Sequence, residues 1–330
     1  MRREEFEWLE RQVRKLKNVM DALHDFDLSE YETYKVHPWT PLKLICLMWW
    51  LSIYTHIIPN YFRNYWYIDL FSGPGLNFVR ETRDYLPGSP ILACNSYKPF
   101  TQYIFVEKNR QRYESLKRIL SRLNLNNCRI YNEDCYAVIS NLHINADHSF
   151  IFADCEKPSD IRWGTIEKLL RHKSDLIVVF HTESVNRVLG RARKSGKSDT
   201  LTEMLGDDSW RNAESGREVL NIFMKKLRSY REFVKSIKIR GSYRKIVKSS
   251  GRRHSRIVRY SYDVILACRK GRTRDYTNAW IELGEKMTYL RHRDAELVLR
   301  ILKGEIRALD EFERRMQGTW RIQRTLTDFA

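Results

Sequence analysis

Short apolar runs that end in polar residues recur through the middle of this chain. Tyr65–Ile68 leads to Asp69, Gln102–Val106 to Glu107, and Cys128–Tyr131 into Glu133-Asp134-Cys135. Ser149–Ala153 leads to Asp154, and Asp175–Phe180 to His181. Runs of this length, interrupted inside only at Arg129, fit strands buried in a sheet, with a polar tip at the carboxyl end. Helical patterns such as Arg112–Leu123 and Thr165–His172 separate them. That alternation predicts βαβ units, a parallel sheet and right-handed crossovers. Two further strands, Val234–Arg240 and Tyr262–Cys268, are expected to close the sheet as an antiparallel hairpin.

The flanks read differently. Residues 1–60 are expected to be a helical extension, with an amphipathic stretch Glu4–Leu23 and an apolar helix Leu42–Ile58. Residues 61–274 form the α/β domain, with a helical insertion at 182–230 and a basic hairpin arm at 240–259. Residues 275–330 return to helix, where Leu297, Ile301, Leu302, Ile306, Leu309 and Phe312 recur at helical spacing. The stretch Leu76–Pro87 reads as an insertion, either folded over a ligand or a surface loop. Ser89 and Pro90 then predict an N-cap and a first helical residue.

Candidate chemistry concentrates after the first strand, where Asp69-Leu70-Phe71-Ser72 runs into Gly73-Pro74-Gly75. A phosphate-cradling loop requires Lys-Ser or Lys-Thr after its glycines, and Leu76-Asn77 stands there. A dinucleotide fingerprint requires a third glycine, and Phe78 occupies its place. S-adenosylmethionine (SAM) is satisfied by the shorter acid-strand-to-GxG turn. In that reading Asp69, Phe71, Gly73 and Gly75 hold the cofactor, with Asp69 at its methionine end, directly or through water. Glu107 either accepts hydrogen bonds from both ribose hydroxyls or initiates the following helix. Asp134 either contacts the adenine amino group or caps the helix Tyr136–Leu142, with Cys135 and Tyr136 beside the ring. Methyl transfer is an in-line displacement that demands orientation more than acid-base chemistry. Asp154 is the first candidate to orient or deprotonate an acceptor, and His181 the second.

The spaced segments YIDLFSGPG, GSP at Gly88–Pro90, YIFVEKN at Tyr103–Asn109, RW-TIEKL at Arg162–Leu169 and LGDDSW at Leu205–Trp210 resemble the three-Cys-motif partner proteins. The resemblance runs from about Trp39 to Cys268. It implies a Rossmann-like, seven-stranded class I methyltransferase sheet, SAM as cofactor and a companion protein bearing three cysteines. One segment departs from that family: Asp154-Cys155-Glu156-Lys157-Pro158 stands where Pro-aromatic-Gly usually follows the acid. That turn shapes the wall facing the methyl group. Its alteration supports an alternative, an inactive SAM- or nucleic-acid-binding module acting through a partner.

Charge points to the acceptor. The chain of 330 residues carries a net charge of +18. Such an excess favours a polyanion, although general solubility or heat adaptation through surface ion pairs also produces it. Two blocks without acids decide for nucleic acid, RNA or DNA. Arg187–Lys197 contains Arg191, Arg193 and Lys194, and Arg240–Arg259 contains Arg244, Lys245, Lys248, Arg252, Arg253 and Arg256. In the second block Tyr243 and His254 are candidates to stack on bases. Six scattered cysteines without a CxxC pair read as reduced cytoplasmic thiols, with no metal expected. The apolar stretch Leu42–Ile58 contains Lys43, Ser52, Thr55 and His56 and is read as a buried helix, not a membrane span.

Overall fold

The periodicity of two within each central strand decides how the layers pack. A computed structural model describes residues 3–37, 39–80, 83–249, 252–271, 275–290, 294–307, 310, 313 and 314. Of residues 242–249, 252–254, 256, 258, 259 and 294–296 only the backbone is described. In chain order the strands are β1 (Tyr34–Val36), β2 (Tyr65–Asp69), β3 (Leu76–Val79), β4 (Asp84–Pro87) and β5 (Gln102–Val106). They continue as β6 (Cys128–Tyr131), β7 (His148–Ala153), β8 (Ser174–Phe180), β9 (Phe233–Ser249) and β10 (Arg252–Cys268). The helices are α1 (Arg3–Asp21), α2 (Thr40–Ile57), α3 (Ser89–Cys94), α4 (Arg110–Arg122), α5 (Cys135–Asn141) and α6 (Trp163–Leu170). After them come α7 (Thr182–Ser195), α8 (Asp199–Leu205), α9 (Gly216–Arg228), α10 (Asp275–Thr288) and α11 (Asp294–Leu302).

The main sheet has seven strands in the order β6-β5-β2-β7-β8-β10-β9. β6, β5, β2, β7 and β8 are parallel, while β10 runs antiparallel to β8 and to β9. Alternate side chains feed two cores. Tyr67, Phe105, Phe150, Phe152, Val179 and Tyr262 face α1–α4, α10 and α11, whereas Ile68, Ile104, Ile151, Val178 and Phe180 face α5–α9. The terminal helical regions therefore join one layer on one face of the sheet. α2 is long and apolar enough to cross a membrane by length and composition, and its residues from Thr40 to Thr55 supply much of that layer's core.

Three sequence expectations change. The stretch 76–87 is not a plain loop: β3 and β4 form a hairpin, β1 from the N-terminal extension pairs with β3 in parallel to complete a three-stranded sheet, and Leu76 and Asn77 line the cavity described below. Ser89 is not the N-cap of α3. Gly88 holds that position and Ser89 is the first helical residue, its side chain being drawn to the buried carboxylate of Asp69. The basic hairpin arm is present, but its strands run longer than the expected Val234–Arg240 and Tyr262–Cys268. β9 and β10 pair continuously from Phe233 opposite Cys268 to Ser249 opposite Arg252. The expected C-terminal helix is observed as α11, ending at Leu302, and Leu309 and Phe312 lie outside the described residues.

Candidate active site

Strand order reverses between β2, whose successors β5 and β6 lie on one side, and β7, which lies on the other with β8. Open α/β sheets form a crevice at such a point, beyond the carboxyl ends of the strands. Here a cavity of about 910 Å³ lies there, lined from the tips of β2, β5, β7 and β8 and by the N-terminal segment.

The glycine turn is held from below. Ser72 donates through both its amide and its hydroxyl to the carbonyl of Val106, at 2.9 and 3.0 Å. Gly73 and Gly75 have φ of +63° and +85°, in the left-handed region. A Cβ on Gly73 would meet nothing within 4 Å, whereas one on Gly88 would stand 2.8 Å from the carbonyl oxygen of Gly75. The amide of Gly88 donates to that same oxygen at 2.7 Å. The turn is thus stapled to the start of α3 on one side and open to the cavity on the other.

Asp69 is placed differently from the sequence expectation. It is fully buried beneath the turn and is not among the residues that line the cavity. Its carboxylate accepts from the amide of Phe71 and the hydroxyl of Tyr67, both at 3.2 Å. Burial raises its pKa to about 7, against the pull of hydrogen bonds from Ser89, Phe71 and Tyr67. Its position makes it a fastener of the turn rather than a direct contact for a ligand.

The other expected cofactor residues do converge. Phe71, Gly73, Gly75, Glu107, Asp134 and Cys135 all line the cavity. Glu107 is buried at the tip of β5, and its Oε1 accepts from the amide of Asn109 at 2.7 Å. Burial raises its pKa, which hydrogen bonds from the Asn109 and Gly73 amides oppose. Asp134 caps α5, accepting from the amide of Tyr136 at 2.9 Å, and borders the cavity as well. Cys135 is a thiol rather than a thiolate, since burial pushes its pKa up to about 12.

On the other side of β2 from Glu107, after the ends of β7 and β8, Asp154 and His181, the two expected catalytic residues, line the cavity. Asp154 is ion-paired with Lys43 of α2, both being largely buried. His181 is engaged through both nitrogens. Nε2 lies 2.8 Å from the carbonyl oxygen of Cys155 and Nδ1 lies 2.8 Å from the hydroxyl of Tyr260. A carbonyl only accepts, so Nε2 carries the proton and Tyr260 donates to Nδ1. Burial lowers the pKa of the imidazole and keeps it neutral.

Sequence reading missed the residues that the N-terminal segment and the hairpin contribute. Lys43, Trp39 and Tyr34 arrive from one and Tyr260 and Tyr262 from the other, and all line the cavity. The ring of Trp39 stacks on His37 at 4.6 Å and on Tyr260 at 5.5 Å between centroids. Nearer Glu107, Arg112 pairs with Glu156 and covers the Tyr34 ring at 4.5 Å. The lone lysine inside the apolar run 42–58 was the available signal. Nothing in the sequence tied it to an acid 111 residues away.

Of the expected nucleic-acid residues, Arg191, Arg193 and Lys194 are exposed on α7, the helix that starts at the His181 tip. Arg244, Lys245, Lys248, Arg252, Arg253 and Arg256 belong to the outer half of the hairpin, where the backbone alone is described.

Strand order, switch-point cavity and closing hairpin together define a class I methyltransferase-like fold. No family model matches the chain, and no curated protein matches it. Among solved structures it is similar to protein LPL1258 of Legionella pneumophila, of the family DUF519, with 13% identity and a TM-score of 0.41. That match covers 73% of this chain and 90% of the other. A putative RNA methyltransferase, PH1948 of Pyrococcus horikoshii, has 12% identity and a TM-score of 0.37, over 73% and 95% of the two chains. SMU.1697c of Streptococcus mutans, a putative methyltransferase in complex with SAH, has 9% identity and a TM-score of 0.32, over 62% and 88%.

Proposed function

We propose that this protein is a SAM-dependent methyltransferase whose acceptor is a nucleic acid. The observation that carries the reading is the two-sided cavity: a glycine turn and buried Glu107 on one side, the Lys43–Asp154 pair with His181 and Tyr260 on the other. The open space above Gly73 and the volume near 910 Å³ suit an adenosyl amino acid with a second, planar group beside it. The resemblance of YIDLFSGPG and YIFVEKN to the three-Cys-motif partner proteins supports the same cofactor and adds a companion protein to the expected partners.

Bound SAM supplies a methyl group on a positively charged sulfur. Glu107 would accept from the ribose hydroxyls through the oxygen that Asn109 leaves available. The amides of the glycine turn would face the methionine end, with Asp69 bracing them from below. Asp134 and Cys135 would border the adenine. Asp154 would accept a hydrogen bond from the acceptor's N–H or O–H and so aim its lone pair along the axis of displacement. Lys43 balances that carboxylate, so a neutral base enters without meeting an unpaired charge. Neutral His181, with both nitrogens engaged, is better placed to fix the wall at Cys155 and Tyr260 than to take up a proton.

Two measurements separate the parts. In calorimetry, Glu107→Gln is expected to weaken SAM binding about tenfold, the equivalent of ~1.4 kcal/mol. Asp154→Asn should leave that affinity within about twofold and abolish incorporation of labelled methyl into nucleic acid. No heat of binding at millimolar SAM, with the fold intact, would overturn the enzyme reading. Full incorporation by Asp154→Asn would remove Asp154 from the mechanism.

A further inference from the structure

The hairpin arm and the cavity meet at one point. Gly241 and Tyr260 are a register pair of β9 and β10. A Cβ on Gly241 would stand 2.5 Å from the ring of Trp39, and Tyr260 stacks on that ring and donates to His181. Beyond this pair the ribbon leaves the sheet. β8 pairs with β10 only over Asp263–Ala267, and β9 is the terminal strand. Eight register pairs remain without a third strand, from Arg259 opposite Ser242 to Arg252 opposite Ser249. At ~3.3 Å per residue that ribbon is about 26 Å long.

An exposed two-stranded ribbon is marginal in water by itself. This one also sets Arg253 opposite Lys248 and Arg256 opposite Lys245, and like charges directly opposite one another are unfavourable. Residues 242–259 hold seven Lys or Arg and no acid. A free edge of this kind suits a second protein chain only if its charges are matched, whereas a polyanion relieves every pair at once. The shape selects among polyanions. The major groove of B-form DNA admits a two-stranded β-ribbon, while that of an A-form RNA duplex is too narrow and deep. Ile257, 63% exposed, offers an apolar contact of the kind thymine methyls make. A second basic track starts at the same mouth. Arg187 lines the cavity, and Arg191 and Lys194 follow it at i+4 and i+7 along one face of α7.

We infer that the nucleic acid is duplex DNA. The β9–β10 ribbon lies in its major groove, α7 follows a flanking backbone, and the acceptor base is turned out of the stack into the Trp39–Tyr260 side of the cavity. This rests on the nucleic-acid reading proposed above and narrows it to one partner. A base stacked in a duplex enters such a cavity only by leaving the helix.

The test uses the full chain and two variants. One replaces residues 244–257 with Asn-Gly, joining the register pair Tyr243 and Val258 by a tight hairpin turn. The other, Arg252→Glu with Arg253→Glu, leaves the ribbon backbone intact. Anisotropy would follow labelled duplex DNA, duplex RNA and single strands of one sequence across a salt series. Duplex DNA is expected to bind the full chain at least tenfold more tightly than duplex RNA. Both variants should lose that preference, and removal of six cationic side chains should flatten the salt slope by about 5. Equal binding of duplex RNA or of single strands by the full chain would overturn the inference, as would unchanged duplex binding by the charge-reversed variant. So would a full chain that dimerises through the arm in sedimentation and shows no preference for DNA. SAM calorimetry on all three proteins separates the two readings. Retained SAM binding with no duplex preference defeats the ribbon inference alone. Absent SAM binding with an intact duplex preference defeats the cofactor reading alone.

Discussion

Two glycines at the turn are required for different reasons. Gly88 packs against backbone: an added methyl would meet the Gly75 carbonyl oxygen at 2.8 Å. Backbone yields poorly, so Gly88→Ala is expected to cost about 1–3 kcal/mol, read from urea unfolding midpoints. Gly73 faces open space at φ +63°. Gly73→Ala should cost only ~1 kcal/mol of backbone strain, yet its methyl projects where the ligand is proposed to lie, so SAM affinity should fall by more than stability does. Equal losses in both variants would mean that the turn acts only as scaffold. Asp69 adds a pH signature. Its folded pKa of about 7 lies above the ordinary 3.8, so the folded state holds a proton that the unfolded chain releases. The stabilising contribution is complete below 3.8 and is lost as pH rises towards about 7. Unfolding midpoints of Asp69→Asn, measured across that window, should decline less than those of the unaltered chain. A smaller decline of the same sign should remain from Asp175, which burial also raises to about 7.

At the scale of elements, the roof of the cavity is the three-stranded sheet in which β3 is central. A proline in a central strand removes a ladder hydrogen bond. Phe78→Pro, opposite both Lys35 and Tyr85, should detach β1 and with it Tyr34 from its place beside Arg112. SAM affinity is expected to drop about tenfold, while the main sheet, which shares no strand with this one, keeps its cooperative unfolding. That roof was not legible in the sequence. β1 is three residues long, and its partner β3 lies some forty positions on, in a stretch with no clean alternation. By contrast β2 and β5 matched their expected bounds, because a strand buried on both faces leaves an unbroken apolar run and a polar tip. Glu107, Asp134 and Asp154 were legible for the same reason: each terminates a run. Lys43, Trp39 and Tyr260 were not, since they reach the cavity through tertiary packing of a helix, a loop and a hairpin, and no local period encodes such a meeting. Asp69 was legible as a strand tip but not as a buried one; the depth of a tip depends on what the following turn folds over.

On the scale of the whole molecule, the excess of +18 acts on folding and on binding with opposite signs. Self-repulsion among like charges destabilises the compact state, and added salt screens it; the Debye length falls from about 10 Å at 0.1 M to about 3 Å at 1 M. If the charge serves a polyanion, salt should stabilise the free protein while weakening the complex. Many of the described ion pairs are exposed neighbours one helical turn apart, such as Arg3–Glu7, Arg110–Glu114 and Arg171–Glu167, whose net worth is small. Screening them removes little. A protein made heat-resistant by dense ion-pair networks would respond in the other direction, losing stability as salt rises. Thermal unfolding between about 0.1 and 1 M sodium chloride discriminates the two. A gain of about 1 kcal/mol, seen as a rise of roughly 2–4 °C in Tm, is expected for the free chain. Over the same interval the affinity for duplex DNA should fall steeply, with a log–log slope set by the cations of the ribbon and α7. A Tm that falls with salt would return the charge to the surface networks and leave the ribbon without its electrostatic argument.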